Sequence, residues 1–139
     1  MSLRVIPIID IMHGKAVHAI KGYREEYRPL KSMISDTQDP VELASEFKRR
    51  FGFDELYVAD LDGIMKDEIT LSVLCNICKT GNLKVMVDAG VSNATKAQAL
   101  LSSGVAGIIV GTETLENLED LLTIVNSSRN IPVIGSINV

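Results

Sequence analysis

Short runs of β-branched residues alternate along this chain with stretches whose apolar residues recur at spacings of three and four, and that rhythm restricts the fold more than any other feature. Parallel strands need a crossover long enough to hold a helix, so the alternation predicts an α/β chain built on a parallel sheet. The first run is Val5 to Ile11, and after Gly14-Lys15 a second, Ala16 to Ile20, is placed to pair with it as a hairpin. Gly22 to Asp36, charged and holding Pro29, reads as a long loop. Asp39-Pro40 is a helix start, cap then first-turn proline, followed by Leu43, Ala44 and Phe47 on one stripe and closed by Gly52. The run Glu55 to Leu61 comes next. A helix through Leu71, Leu74, Cys75 and Cys78 then stops at Gly81. Lys84 to Val87, a helix Ala94 to Leu101 capped by Asn93 and closed by Gly104, Gly107 to Val110, and a helix from Asn117 through Leu118, Leu121, Leu122 and Val125 continue the pattern. Ile131 to Val139 opens one more strand.

The rhythm gives about four β/α units and a bare strand, read as one partial domain over residues 1–139. A closed eight-stranded barrel takes roughly 200 residues or more, so four parallel strands would leave an open edge and an uncovered inner face. Pairing with another copy or with a partner half-barrel is the expected remedy. A doubly wound open sheet is the competing architecture. Charge and hydropathy narrow the function classes. A net charge of −4 leaves no basic face to track a phosphodiester backbone, so nucleic acid is not an expected partner. The longest apolar stretches, such as Val105 to Val110, fall far short of the roughly 20 residues that cross a bilayer, so no membrane partner is expected. Two cysteines and no signal-peptide pattern suit a reducing, cytoplasmic setting.

In a barrel the C-terminal strand ends and the loops after them converge on one mouth, which makes Asp10, Asp60, Asp88 and Asn138 candidates for a common ligand. Asp10, after Ile6-Pro7-Ile8-Ile9, is placed to exchange a proton there, or to brace the loop at Gly14. Two glycine turns open helical segments: Asp88-Ala89-Gly90-Val91-Ser92-Asn93 and Gly111-Thr112-Glu113-Thr114. Each offers backbone N–H groups and a hydroxyl to a phosphate without a basic side chain, with Gly90, Val91, Ser92, Gly111 and Thr112 as the contacts. Neither has the spacing of a Walker loop or a dinucleotide fingerprint, and no cofactor is expected. Arg28, beside Tyr27, is the best candidate for a second anion contact. His13 is within reach of a ligand, whereas His18 lies on a strand. Cys75 and Cys78 have CxxC spacing but fall in an apolar helical stripe with no second pair, so a structural role is expected and no metal.

Taken in order, Ile6-Pro7-Ile8-Ile9-Asp10-Ile11, Gly14-Lys15-Ala16-Val17, Leu56-Tyr57-Val58-Ala59-Asp60-Leu61-Asp62-Gly63, Val87-Asp88-Ala89-Gly90-Val91, Ser103-Gly104-Val105-Ala106 and Ile109-Val110-Gly111-Thr112 resemble the histidine-biosynthesis (β/α)₈ barrels. These are the phosphoribosylformimino-aminoimidazole carboxamide ribotide isomerase and its sister cyclase. The run Arg24 to Pro29 looks most like an archaeal isomerase-related subgroup. The resemblance implies the amino-terminal half of a TIM barrel of the ribulose-phosphate-binding type, plus strand five. It also implies an aldose–ketose isomerase, an intramolecular oxidoreductase, performing an Amadori rearrangement on a phosphoribosylated substrate with one carboxyl as acid and another as base. Asp10 matches the family's first-strand aspartate, and the Gly90 and Gly111-Thr112 turns match its amino-half phosphate site. Three departures stand beside this likeness: Asn138 occupies the position of the second aspartate, where an amide cannot exchange a proton; Asp88-Ala89-Gly90 stands where three glycines are usual; and the second half is absent. The alternative reading is a non-catalytic phosphate-binding half-barrel or an assembly subunit. A different isomerase or aldol-type reaction on a sugar phosphate is a third.

Overall fold

A computed structural model describes residues 2–20, 23–29 and 36–137. Strands β1 (Ile8–Met12), β2 (Lys15–Ile20), β3 (Tyr23–Pro29), β4 (Glu55–Asp60), β5 (Lys84–Asp88), β6 (Gly107–Gly111) and β7 (Val133–Ser136) form a single sheet in the order β3-β2-β1-β4-β5-β6-β7. Helices α1 (Pro40–Phe51), α2 (Leu61–Lys66), α3 (Leu71–Cys78), α4 (Ala94–Leu101) and α5 (Leu118–Ser128) connect the strands from β3 onward. β1, β4, β5, β6 and β7 pair in parallel and follow chain order without reversal. A doubly wound sheet reverses its strand order at a switch point, so the competing architecture is ruled out and the sheet is an open (β/α) half-barrel.

The segment expected to be a loop after the first hairpin is partly strand. β2 pairs antiparallel with β1 through Asp10↔Val17 and Met12↔Lys15, and β3 adds to β2 through His18↔Arg28 and Ala19↔Tyr27. Tyr23 and Tyr27 favour extension, and the charged residues between them masked that signal. His13 (φ 52°) and Gly14 (φ 74°) form a two-residue turn with both central residues left-handed, the geometry that suits the twist of a hairpin.

Helix ends follow the sequence closely. Asp39 Oδ1 accepts from Val41 N at 2.9 Å with Pro40 at the first helical position, Gly52 closes α1 at φ 66°, and Asn93 and Asn117 cap α4 and α5. The helix α2 was not anticipated: Asp60 caps it, and Asp67 ends it in a left-handed conformation.

Side chains alternate across the sheet, and the register turns that alternation into two faces. Ile9, Val58, Val87 and Ile108 share one row, and with Ile11, Leu56, Val85 and Val110 they form a dry core against Leu43, Ala44, Phe47, Leu74, Ile77, Ala97, Leu100 and Ile124 of the helices. The opposite face holds Ile8, Tyr57, Met86 and Gly107 in one row and Asp10, Ala59, Asp88, Ile109 and Ile134 in the next. Ile8 is 64% exposed and Ile134 41%, whereas Asp10, Tyr57, Ala59, Met86 and Asp88 are half-buried and Ile109 is buried, so this second face, uncovered by the helices, opens to solvent chiefly at its margins.

Two glycines let backbone cross backbone at the C-terminal end of the sheet. A Cβ on Gly63 would lie 2.6 Å from the Ala89 carbonyl oxygen, and one on Gly90, at φ 67°, would lie 2.8 Å from the Gly63 carbonyl oxygen. Gly63→Ala therefore forces the start of α2 off the β5 turn, and the expected cost is about 2–3 kcal/mol. Urea denaturation would read this as a lowered midpoint, and an unchanged midpoint would refute the crossing.

Candidate functional site

The polar residues expected at the mouth divide between the two faces. Asp10 and Asp88 lie on the uncovered face, at one level, on strands separated only by β4, where the small Ala59 stands between them. Asp60, opposite Ile11, points the other way and is fully buried. It accepts from Thr70 N at 2.7 Å through Oδ2 and from Gly63 N at 3.3 Å through Oδ1. Burial raises its carboxyl above the ordinary range, and the hydrogen bonds from Thr70 and Gly63 offset part of that. Asp60 is thus a cap and loop tie, not a ligand group of the mouth.

Asp62, also buried, reaches from α2 to the β1–β2 turn. Its Oδ2 accepts from His13 N at 2.6 Å, and its Oδ1 lies 3.6 Å from His13 Nδ1 and 3.9 Å from Lys66 Nζ without a hydrogen bond. The carboxylate holds the turn that follows Asp10 in place. His13 is mostly exposed beside it.

The two glycine turns come together. Thr114 Oγ1 lies 2.8 Å from the Gly111 carbonyl and 3.3 Å from the Val91 carbonyl, a shared donor that ties the segment after β6 to the one after β5. Asp88 Oδ1 accepts from Gly90 N at 3.2 Å and fixes the first turn. Val91 is fully buried and offers a ligand only its backbone, whereas Ser92 is partly exposed and Thr112 exposed. Thr112 belongs to a single 3₁₀ turn, Thr112–Thr114, not to a longer helix.

The turns themselves carry no Lys or Arg, but a lysine of the helix that follows reaches the first of them. Lys96, one turn into α4, places Nζ 2.9 Å from Ser92 Oγ and 2.5 Å from the Asp67 carboxylate. The signal was the i, i+4 spacing of Ser92 and Lys96. An opposing charge also escaped notice: the Glu113 carboxylate folds over Gly111, where a Cβ on the glycine would meet it at 2.8 Å.

Arg28 lies on β3, the outermost strand, rather than in a loop, and only its backbone register is described. Asn138 lies outside the described residues. Cys75 and Cys78 sit on α3, both half-buried, and burial pushes the Cys78 thiol up to about 11 with Cys75 adding to the effect. No helix among the described residues is long and apolar enough to cross a membrane.

A parallel sheet wound in one direction, with helices against one face and glycine turns at the C-terminal strand ends, defines the class: one half of a (β/α) barrel. The profile of the histidine biosynthesis protein family matches residues 4–139, and the chain belongs to that family. It is 34% identical over 137 residues to a Campylobacter fetus protein named as the 1-(5-phosphoribosyl)-5-((5-phosphoribosylamino)methylideneamino)imidazole-4-carboxamide isomerase, covering 98% of this chain and 55% of that one. The isomerase of that name from Desulfitobacterium hafniense is 32% identical over 136 residues, 97% of this chain and 52% of the other. An uncharacterised protein of Methanocaldococcus jannaschii is 33% identical over 119 residues, 84% of this chain and 51% of its own. The chain spans about half the length of the curated relatives it matches.

Asp60→Asn keeps one acceptor and turns an N–H group of the amide toward a donor, so it should cost about 1–3 kcal/mol at neutral pH. Because the folded-state pKa is raised, the folded chain holds this proton to higher pH than the unfolded chain does. That contribution is fully present below the unfolded value and is lost as pH rises through the folded one. Denaturation at several acidic pH values should show the variant lacking the corresponding fall in stability with rising pH. An identical slope in both proteins would contradict the assignment.

Proposed function

We propose that the chain binds a phosphorylated sugar at the paired turns Gly90–Ser92 and Gly111–Thr112 and that Asp10 exchanges a proton with it, as an aldose–ketose isomerase of the Amadori type acting on a phosphoribosylated substrate. The observation that carries the reading is the placement of Asp10 on the uncovered face, at the same level as the start of the first turn, with Thr114 joining that turn to the second. The names of the isomerase relatives support the chemistry, and the two phosphoribosyl groups in those names support a phosphate-ended ligand. In the rearrangement an acid protonates the ring oxygen as the C1–O bond breaks, and the nitrogen lone pair forms C1=N. A base then takes the C2 proton, the C2–H electron pair forms C1=C2, and nitrogen becomes neutral. Loss of the O2 proton and gain of one at C1 give the aminoketose, with no net change in protons. A cytoplasmic location goes with this reading.

Phosphate contact here comes from backbone N–H groups, the Ser92 and Thr112 hydroxyls and the neighbouring Lys96 ammonium, which suits a protein of net negative charge. Titration calorimetry with ribose 5-phosphate should give binding by the wild type and none by Gly111→Trp. Glu113→Gln, which removes a like charge beside Gly111, should tighten binding about threefold at low salt, and the gain should fade as salt is added. Wild-type binding that survives Gly111→Trp would sink the site.

A second reading has its own support. Among the described residues β7 has no strand on its outer side, and β2 covers only the Asp10–Met12 end of β1. Several of the exposed apolar residues belong to the segments at these open edges: Leu3, Val5 and Ile8 on one side, and Leu118, Leu122, Ile134 and Ile137 on the other, with Phe51 and Met65 elsewhere. A half-barrel that docks against another half would cover them. Sedimentation velocity should show a dimer or larger species that dissociates in Leu118→Glu/Leu122→Glu. A wild type monomeric at high micromolar concentration would remove this reading.

A further inference from the structure

We propose that Asp88 is the second proton-exchanging carboxyl of the site, taking the role that Asn138 cannot fill. This rests on the isomerase reading above and deepens it. The chemistry needs two groups that exchange protons, one for the ring oxygen and one for C2, and Asn138 carries an amide. Among the described residues, Asp88 is the other aspartate placed on the uncovered face at the level of Asp10. The register runs Asp10↔Ala59 and Ala59↔Asp88, so both carboxyl groups rise from the same side of the sheet.

Two strand spacings put their backbones about 10 Å apart. Side chains that rise from the same face of the sheet across that backbone span leave room for one five-membered ring between them. Ala59 is the floor between them: its methyl group leaves the gap open, where a larger side chain would fill it. Asp88 is also the first residue of the turn that ends at Ser92, so a ligand whose phosphate lies against that turn has its sugar carbons directed back toward the row. In this arrangement one carboxyl gives its proton to the ring oxygen while the other takes the C2 proton. The two return to their starting states as C1 is protonated and the O2 proton leaves.

Asp88 also has a structural task, the hydrogen bond from Gly90 N to Oδ1. Asp88→Asn separates the two roles, because the amide oxygen still accepts from Gly90 N but the side chain no longer exchanges a proton. The full chain would be assayed with an N-substituted ribosylamine 5-phosphate, following aminoketose formation, beside calorimetric binding of ribose 5-phosphate and urea denaturation. Asp88→Asn should retain the wild-type midpoint and bind ribose 5-phosphate within about twofold, while kcat falls about 100-fold or more and KM changes little. Turnover within about threefold of wild type would overturn the assignment and leave Asp88 as a turn residue. A wild type that binds ribose 5-phosphate yet forms no aminoketose would overturn the acid–base role of both aspartates. A wild type that binds no ribose 5-phosphate would overturn the phosphate site and this assignment with it. A variant with a lowered midpoint would be replaced by Asp88→Ser, which retains an oxygen acceptor, and judged by the same kcat criterion.

Discussion

Everything functional in this chain depends on the two-residue period of its parallel strands. Because neighbouring side chains point to opposite faces, one residue of register decides whether an aspartate meets the helices or the uncovered side. Asp60 and Asp10 are both strand-end carboxylates in the sequence, and pairing of Asp10 with Ala59 rather than Asp60 separates them. One becomes a buried cap with two backbone donors, and the other faces outward in a row with Asp88. The apolar row Ile9, Val58, Val87 and Ile108 enforces this register: a one-residue slip of any one strand would turn its own inward side chains, such as Ile9 and Ile11 of β1, out of the core together.

The mouth above that row is held by backbone more than by side chains. Gly63 and Gly90 permit the start of α2 and the β5 turn to touch, Asp62 fastens the β1–β2 turn through His13 N, and Thr114 links the β5 and β6 turns. Consecutive units are therefore fixed relative to one another by polar ties at their C-terminal ends, while the apolar core fixes them below. Such an arrangement preorganises backbone N–H groups, which matters for an anion because donors already aligned need no reorganisation when it arrives.

Much of this was legible in the sequence, for identifiable reasons. Asp39-Pro40, Asn93 and Asn117 gave helix starts because capping is local chemistry, and the four parallel crossovers followed from strand and helix periods. The misses are cases where a tertiary contact decides. Tyr23–Pro29 looked like a loop because its run of charges and Pro29 carry no strand period, and pairing with β2 overrode them. α2 is six residues long, too short for a helical period to show, and exists because Asp60 caps it from a buried strand end. Lys96 and Glu113 carry ordinary surface charges in the sequence; the i, i+4 spacing of Ser92 and Lys96 is a weak hint, and the folded turns show that one supplies a cation to Ser92 and the other an anion to Gly111. Asp88 was legible as a strand-end carboxylate, but its equivalence with Asp10, and Asp60's exclusion from that pair, required the register.

The two readings of this half-barrel are linked by solvent. Proton transfer between a carboxyl and a sugar carbon gains from a site that excludes water, because the same charges act more strongly on one another there. The row Asp10, Ala59, Asp88, Ile109 and Ile134 lies on the face that the helices leave uncovered; Ile109 is buried and the aspartates are half-buried, while Ile8 and Ile134 at the margins are exposed apolar groups. Covering that face would bury these residues and dry the row in one event, so the apolar margins and the carboxyl pair favour the same docked state. On the two proposed readings taken together, docking and catalysis would be successive demands on one surface: the isoleucines would drive its closure, and the aspartates would act within the closed site.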